Sequence, residues 1–292
     1  MIEIPNVTLV IPTTRAHDLA RITVLDLVSK VNFGGGVLIY TDDCDRLAVP
    51  GARYIKVADW PDKNSSSLFY YTEAALGVET SHALLMEWDG GVCDPAMWRD
   101  EFLQYDYIGA PWSADMGDPR HNSFTVGNGG FALISKRLVE FCHDAKLKIY
   151  TDMHISRHHR PELEAQGFKW APENVARDFS YEGWTRRGPI IPTERPHSFG
   201  YHCVTNWPAI LTRADLLTRG KILVAGPHGR DKINLLLRAA PWLSPELGVP
   251  MPSRRQYPQQ SIQQLQNTQL IVDRIRAQRA AAYAGMGQPR KA

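Results

Sequence analysis

Short apolar runs alternate with amphipathic segments through the first ninety residues of the chain. The runs are VTLVI (7–11), VLIYT (37–41), RYIKV (53–57) and ALLME (83–87). Continuous apolar character is typical of strands buried on both faces of a parallel sheet. Apolar residues recur at helical spacing from Leu19 to Val31, and a second helix is predicted from about Asn64, or one of the serines after it, to Val78. The order β-α-β-β-α-β predicts an α/β fold with an open, mostly parallel sheet flanked by helices.

Polar residues follow several of the predicted strands. They are Thr13, Arg15, Asp42, Asp43, Glu87 and Asp89. In open parallel sheets, ligands bind outside the carboxyl ends of the strands. Their convergence at those ends therefore indicates a binding site, without reference to any motif.

The segment LLMEWDGGV (84–92) places two carboxylates at the end of one of these strands. Residues i and i+2 of a regular strand point to the same face, so Glu87 and Asp89 can converge on one ligand. Two adjacent like charges raise one pKa unless a cation neutralises them, and hard oxygen ligands suit Mg²⁺ or Mn²⁺. Gly90 and Gly91 permit a close backbone approach. The alternative interpretation is a solvated acidic turn.

The second half of the chain is less regular. Ser135 is predicted to cap a helix, and RPELEAQG (160–167) carries the proline and glycine expected at the two ends of a short helix. Residues 188–208 are rich in Pro, Gly and aromatic residues and are predicted to be mostly loop. The composition changes to Gln, Arg and Ala after about residue 254. We therefore expect one domain over 1–253 and a C-terminal helical tail over 254–292.

Composition narrows the class of protein without defining it. The 292 residues are 43% hydrophobic and 22% charged, and the net charge is +2, which gives no reason to expect a dedicated nucleic-acid or membrane surface. The four cysteines contain no C-x-x-C pair and are interpreted as reduced thiols. No signal peptide or stretch of about 20 apolar residues is visible, so we expect a cytoplasmic protein.

Other motifs are weak when each is taken alone. VGNGGF (126–131) lacks the G-K-[ST] of a P-loop and the G-x-G-x-x-G of a dinucleotide site. His154 and His158 have the i, i+4 spacing that can bind zinc, but without H-E-x-x-H they are expected to be surface histidines on a helix. His202 in FGYH, taken alone, is expected to be a packed, hydrogen-bonded core residue.

Taken together and in order, several segments resemble a known family. They are LLMEWDGGV, MWRDEFLQYDYIGAPW, VGNGGFALIS, RPELEAQGFKWAPENVARDFSYE and FGYH. They resemble a bacterial glycosyltransferase-like family, catalogued mainly as a domain of unknown function, that is in turn similar to GT-A glycosyltransferases. The resemblance extends over about residues 7–207. It implies a GT-A-like (Rossmann-like) sheet, a nucleotide-sugar donor and Mn²⁺ or Mg²⁺ as cofactor.

The resemblance also implies roles for individual residues. Asp89, with Glu87, falls on the D-x-D metal motif, and His202 falls where many GT-A enzymes complete the metal site. Many relatives carry Gln at the position of Glu87. Instead of binding the metal directly, Glu87 would then contact ribose or a metal-bound water. Asp152 falls on the catalytic base, although Thr151 replaces the acid that usually precedes it. The implied nucleotide contacts are Thr13, Thr14, Arg15, Asp42, Asp43 and Trp88. The implied donor or acceptor sugar contacts are Trp112, Asn128, Gly129, Gly130 and Glu182.

The function expected on these grounds is a metal-dependent transfer of a sugar to an acceptor carbohydrate or other hydroxyl-bearing molecule. Two alternatives remain open. One is a non-catalytic nucleotide- or carbohydrate-binding protein, which the Thr151 departure favours. The other is a metal-dependent nucleotidyltransferase or hydrolase that uses the same two acids. A nucleic-acid acceptor also stays open, because Arg186, Arg187, Arg230, Lys232, Arg254 and Arg255 would form a basic rim, although a solvated surface is the simpler interpretation. The oligomeric state is left open.

Overall fold

A computed structural model describes residues 1–113, 124–185, 188–226 and 230–252 of the chain. The strands are Ile2–Ile4 (β1), Val7–Pro12 (β2), Val31–Phe33 (β3), Val37–Thr41 (β4), Arg53–Lys56 (β5), His82–Met86 (β6), Gly91–Val92 (β7), Tyr107–Gly109 (β8), Phe131–Ser135 (β9), Ser180–Tyr181 (β10), Trp184–Thr185 (β11), Gly188–Pro189 (β12) and Gly200–Tyr201 (β13). The α-helices are His17–Val28 (α1), Lys63–Thr72 (α2), Lys136–Asp144 (α3), Arg160–Ala165 (α4), Glu173–Phe179 (α5), Trp207–Ile210 (α6), Arg213–Ala225 (α7), Arg230–Ala239 (α8) and Leu243–Leu247 (α9). Single turns of 3-10 helix occur at Pro95–Met97, Asp100–Gln104 and Val204–Asn206, and His154–His158 forms a π-helical turn.

A six-stranded sheet in the order β5-β4-β2-β6-β9-β8 forms the centre of the fold. The pairs β5·β4, β4·β2 and β2·β6 are parallel, whereas β9 runs antiparallel to both β6 and β8. The α/β class predicted from the sequence is confirmed. The sheet is mixed because β9 runs opposite to the other five strands, which share one direction.

Both faces of this sheet are covered, which explains the continuous apolar runs. On β2, Leu9 and Ile11 belong to a buried cluster that includes Val24 and Leu27 of α1. The intervening Val10 belongs to a second cluster that includes residues of α2 and α3. Alternate residues of a strand point to opposite faces, so each strand needs apolar residues at every position to fill two cores.

A second, three-stranded sheet in the order β10-β13-β7 joins distant parts of the chain. The strand β13 pairs antiparallel with β7, placing Tyr201 opposite Gly91. It also pairs in parallel with β10, placing Tyr181 opposite Tyr201. This small sheet fixes the residues that immediately follow or precede its strands, and several of them are the polar residues considered below.

Element boundaries differ from the prediction at two places. The first helix ends at Val28, and Val31 instead begins β3, which pairs with β1 at the N-terminus. The second helix begins after Asp62, whose side chain caps it by accepting from Ser65 N, rather than after Asn64 or one of the serines that follow, and it ends at Thr72 rather than near Val78. The Ser135 cap of α3 is confirmed, since its side chain accepts from Leu138 N. The predicted tail over 254–292 lies outside the described residues.

We expect Gly109→Ala to destabilise the protein, because a Cβ atom there would lie 2.0 Å from the backbone oxygen of Asn128. This clash can be relieved only by moving the backbone, not a side chain. The free energy of unfolding should therefore fall by about 1–3 kcal/mol or more. Equilibrium urea unfolding measures it. The control is Gly226→Ala, where the nearest atom lies at 3.3 Å and φ is −84°. Equal stability of the two variants would contradict the close approach at Gly109.

Candidate active site

Strand register brings four separate segments of the chain to one point. Glu87 directly follows β6, and its backbone N–H donates to the oxygen of Gly130 at 2.9 Å. Asp89 precedes β7 by two residues, and β7 pairs with β13, so His202 is carried next to Asp89. Glu182 follows β10, the other neighbour of β13, and is thereby placed beside His202. Pairings within the two sheets therefore assemble the site.

Glu87, Asp89 and His202 form a compact cluster of potential metal ligands. One ligand atom from each residue lies within 4.8 Å of the others. His202 Nε2 lies 3.2 Å from Asp89 Oδ1 and 3.6 Å from Glu87 Oε2. The Asp89 side chain is fully buried, whereas that of Glu87 is 38% exposed. In the part of the chain that the structure describes, this is the only such cluster of three or more His, Cys, Asp or Glu side chains.

Glu182 sets the orientation of the His202 ring. His202 Nδ1 lies 3.0 Å from Glu182 Oε1, a distance at which the ring nitrogen donates to the carboxylate. The other nitrogen, Nε2, is thereby turned towards Asp89 and Glu87. Burial alone would lower the pKa of His202, but the neighbouring charge of Asp89 raises it well above its ordinary value. A carboxylate–histidine pair of this kind is typical of metal-binding histidines.

The charge of Asp89 is compensated from the far end of the described chain. Lys232, in the first turn of α8, donates from Nζ to Asp89 Oδ2 at 2.5 Å. Burial would raise the pKa of Asp89, yet the charges of Lys232 and His202 hold it well below its usual range. Burial likewise opposes the charged form of Lys232, but Asp89 raises its pKa above the ordinary value. Asp89 is thus an ionised carboxylate with a different partner on each oxygen.

The residues present fit a divalent cation. Asp89 Oδ1 and His202 Nε2 are buried and have no well-aligned hydrogen-bond partner among the described residues. Buried polar atoms of native proteins are normally satisfied. Here the two atoms form a charge pair at 3.2 Å while His202 carries its proton, and a divalent cation that displaced this proton would satisfy both. Two carboxylates favour hard cations, while the imidazole favours transition metals, and Mn²⁺ meets both preferences.

The turn that carries Asp89 is held from behind by a buried relay. Thr23 Oγ1, on α1, donates to the carbonyl oxygen of Trp88 at 2.9 Å. Arg219 Nη1, on α7, in turn donates to Thr23 Oγ1 at 2.5 Å. The guanidinium of Arg219 also lies 5.4 Å from the ring centroid of Trp207. Because Trp88 lies between Glu87 and Asp89, this relay fixes the backbone of both acids.

The glycine loop, VGNGGF (126–131), needs Gly129 and Gly130 because other side chains approach its backbone. A Cβ atom on Gly130 would lie 2.1 Å from His202 Nε2, and one on Gly129 would lie 1.9 Å from the Tyr71 hydroxyl. The loop therefore packs directly against the imidazole. Asn128 helps to close the loop, since its side-chain oxygen accepts from the backbone of Gly130 at 3.1 Å.

Asp152 lies on the other side of this loop. Its carboxylate accepts from Gly129 N at 3.2 Å and from Met153 N at 2.8 Å. Burial raises the pKa of Asp152 to about 6, although the charge of Lys63 and the two backbone donors favour the ionised form. A carboxylate that titrates near neutrality suits proton transfer.

A cleft of about 300 Å³ connects the cluster to Asp152. Charged groups, glycine backbone and aromatic rings line it. They include Lys63, Tyr71, Glu87, Trp112, Asn128, Gly129, Gly130, Asp152, Glu182, Trp184, His202, Cys203 and Lys232. Eight of the residues with a role predicted from the sequence thus line one cleft: Glu87, Trp112, Asn128, Gly129, Gly130, Asp152, Glu182 and His202. Asp89 is buried directly beside His202.

The predicted nucleotide contacts lie at the strand ends but do not line this cleft. Thr13 and Thr14 are buried, and the Thr13 hydroxyl donates to the carbonyl oxygen of Arg15. Arg15 itself donates to the backbone oxygen of Trp60 at 2.9 Å. Asp42 pairs with the buried His17 at 2.9 Å.

Two further predicted nucleotide contacts also have local partners. Asp43 accepts from the backbone N–H of Arg46 at 3.1 Å. Trp88 packs edge-on against Trp207, and the ammonium of Lys232 lies 5.6 Å from its ring centroid.

Two groups of residues differ from the sequence interpretation. His154 is buried and His158 is half-buried, rather than both being on the surface, and burial lowers the pKa of His154 to about 4. Both lie in a π-helical turn rather than in a regular α-helix. Lys63 was not expected in the site at all, and Lys232 was expected only in a basic surface rim. Neither lysine stands in a motif, so only the folded arrangement reveals them.

The comparisons with known proteins come from family models, curated proteins and solved structures. The model of a family described as a protein of unknown function (DUF5672) matches residues 65–202. This match confirms the expected resemblance to a domain of unknown function. No curated protein matches the chain. Among solved structures, the mannosyltransferase PcManGT from Pyrobaculum calidifontis in complex with GDP-Man and Mn²⁺ aligns with 96% of this chain and 86% of its own, at 12% identity and a TM-score of 0.39. That similarity is too low to transfer the role of any residue.

No helix among the described residues is both long enough and apolar enough to cross a membrane. All four cysteines are free, and Cys93, Cys142 and Cys203 are buried.

We expect Mn²⁺ to stabilise the protein through this cluster. At about 100 times its Kd, a ligand that binds only the folded state raises the free energy of unfolding by about 2.7 kcal/mol, a rise of several degrees in Tm. Asp89→Asn should abolish the rise. Glu182→Gln, which changes only the partner of His202, should weaken Mn²⁺ binding by about 10–100-fold.

Differential scanning calorimetry and isothermal titration measure both effects. The matched control is Glu140→Gln, an exposed position on α3. A shift in Tm with Mn²⁺ that survives Asp89→Asn would place the metal elsewhere.

Proposed function

We propose that the chain is a metal-dependent glycosyltransferase with a GT-A-like (Rossmann-like) fold. It would move a sugar from a nucleotide-sugar donor to a hydroxyl acceptor. The observation that carries the proposal is the placement of Glu87 and His202, with the buried Asp89 against His202, in one cleft with Asp152, a carboxylate whose pKa is raised to about 6. The sequence resemblance to GT-A-like proteins supports the same reaction class independently of that geometry.

Asp89, His202 and Glu87 would hold the cation. When bound, a divalent ion neutralises negative charge that develops on a departing diphosphate. The residues around it have their own tasks. Glu182 keeps Nε2 of His202 directed at the site, and the Thr23–Arg219 relay fixes the turn that carries both acids. Preorganisation of this kind avoids rearrangement during the reaction.

Asp152 would accept the proton of the acceptor hydroxyl. Its carboxylate lines the cleft and is held in place by the backbone N–H groups of Gly129 and Met153. The unusual Thr151 has a local role, because its hydroxyl accepts from His154 N at 3.2 Å and begins the π-helical turn. A single acid at this point is sufficient for a general base.

The rest of the cleft suits a sugar. Trp112 and Trp184 contribute aromatic side chains to the lining, while Asn128, Glu182 and the glycine backbone contribute hydrogen-bonding groups. Small-molecule sites commonly combine apolar walls with a few polar groups that fix orientation. Thr13, Thr14, Arg15, Asp42, Asp43 and Trp88 would serve the nucleotide, as proposed from the sequence. Since these residues lie outside the cleft, the donor would extend from it across the ends of β2 and β4.

A panel of nucleotide sugars with Mn²⁺ should identify a donor through release of a nucleoside diphosphate. Asp152→Asn should then lower kcat by about 10²–10⁴-fold, because it removes the base, while the donor affinity measured by titration stays unchanged. Asp144→Asn, exposed at the end of α3, is the control.

Two results would redirect the assignment. Release of a nucleoside monophosphate would identify a nucleotidyltransferase or hydrolase. Binding of nucleotides without any turnover would identify a non-catalytic binding protein.

We expect kcat to rise with pH and to level off above about pH 7. The base must be ionised, and the pKa of Asp152 is about 6. Lys63 lowers that pKa, Glu182 raises it, and the nearby Tyr71 and Tyr107 are neutral in this range. Lys63→Met should therefore move the midpoint to higher pH. The measurement is kcat at saturating donor and Mn²⁺ between pH 5 and 8, and a flat profile would exclude Asp152 as the base.

A further inference from the structure

Lys232 is the least expected member of the site. It stands on α8, 143 positions along the chain from Asp89, and its side chain is 31% exposed in the cleft. An ammonium group carries three N–H donors. One of them donates to Asp89 Oδ2, and the group also lies over the ring of Trp88. The ammonium is therefore both anchored to a candidate metal ligand and open to a molecule in the cleft.

The two oxygens of Asp89 set up an electrostatic conflict. Oδ2 holds the ammonium of Lys232, and Oδ1 faces the ring nitrogen of His202 where a divalent cation would bind. With the cation bound, one carboxylate has positive charge against both of its oxygens. Like charges so close together repel in a poorly solvated site. A polyanion with several oxygens, lying against both positive groups, removes this repulsion.

We propose that Lys232 is a binding residue for a diphosphate group, which it holds together with the cation on Asp89. Asp89 positions the ammonium, and the side chain of Lys232 lines the same cleft as the candidate metal ligands Glu87 and His202. Lys63, which lines the same cleft, is already engaged by the charges of Glu87 and Asp152. The inference rests on the proposed function for the identity of the natural ligand, but the diphosphate chemistry is tested without a nucleotide.

The probe is methylenediphosphonate, a diphosphate analogue that is not hydrolysed, titrated calorimetrically into the full chain with saturating Mn²⁺. We expect wild-type binding to require Mn²⁺. Lys232→Met should weaken it at least 10-fold, whereas Mn²⁺ alone should bind as tightly as before or more tightly, because a competing positive charge has left Asp89. Lys232→Arg keeps the charge and should retain part of the affinity. Lys221→Met, exposed on α7, should match the wild type.

Unchanged diphosphonate affinity in Lys232→Met would overturn the inference and leave Lys232 as a counterion of Asp89. Failure of the wild type to bind diphosphonate with Mn²⁺ would overturn it as well. If Lys232→Met does not fold without metal, Lys232→Arg and the Mn²⁺-saturated protein provide the comparison.

The outcome separates this inference from the proposed function. Diphosphonate binding that depends on Lys232, without turnover of any nucleotide sugar, supports the inference and contradicts the proposed function. Full sugar transfer by Lys232→Met supports the proposed function and overturns the inference.

Discussion

The site depends on how one buried negative charge is neutralised. Asp89 is fully buried and ionised, and a carboxylate in that position is strongly unfavourable without partners. Its partners come from two other regions of the chain, His202 after β13 and Lys232 on α8. Breaking a buried charge pair by removing one partner typically costs about 3–5 kcal/mol. The compensation of Asp89 therefore attaches the C-terminal helices to the central sheet as well as shaping the cleft.

The contacts that make this part of the protein rigid also position the candidate metal ligands. Glu182 orients His202, Gly130 packs against its ring, and Thr23 and Arg219 support the turn between the two acids. Breaking any hydrogen bond among these contacts would leave a buried polar group unpaired. The cluster is thus held in one geometry by residues other than its three candidate metal ligands.

The sequence predicted the sheet and the convergence of the acids because both leave local signals. Apolar runs of strand length predicted β2, β4, β5 and β6 to within a residue or two, since burial on two faces demands continuous apolar character. The strand-end rule and the resemblance together selected Glu87, Asp89, Asp152 and His202, which the structure brings to one cleft and its floor.

The remaining members of the site left no local signal. Lys63 and Lys232 look like ordinary surface lysines, and only strand register and helix docking turn them towards the cleft. His154 was expected on the surface yet is buried, because it lies in a π-helical turn, which changes which residues share a face. The end of α1 was placed too late because Val31, which fits the helical spacing, pairs in β3 instead.

The long separation between Asp89 and Lys232 also bears on how the protein is made. During synthesis the acidic turn emerges from the ribosome well before α8 does. Until α8 docks, Asp89 has no lysine partner and cannot be buried as it is in the finished protein. A chain that ends before α8 would keep Glu87, Asp89 and His202 but would leave Asp89 Oδ2 without its ammonium partner. The charge of Asp89 is therefore fully compensated only after nearly all of the described chain has been synthesised.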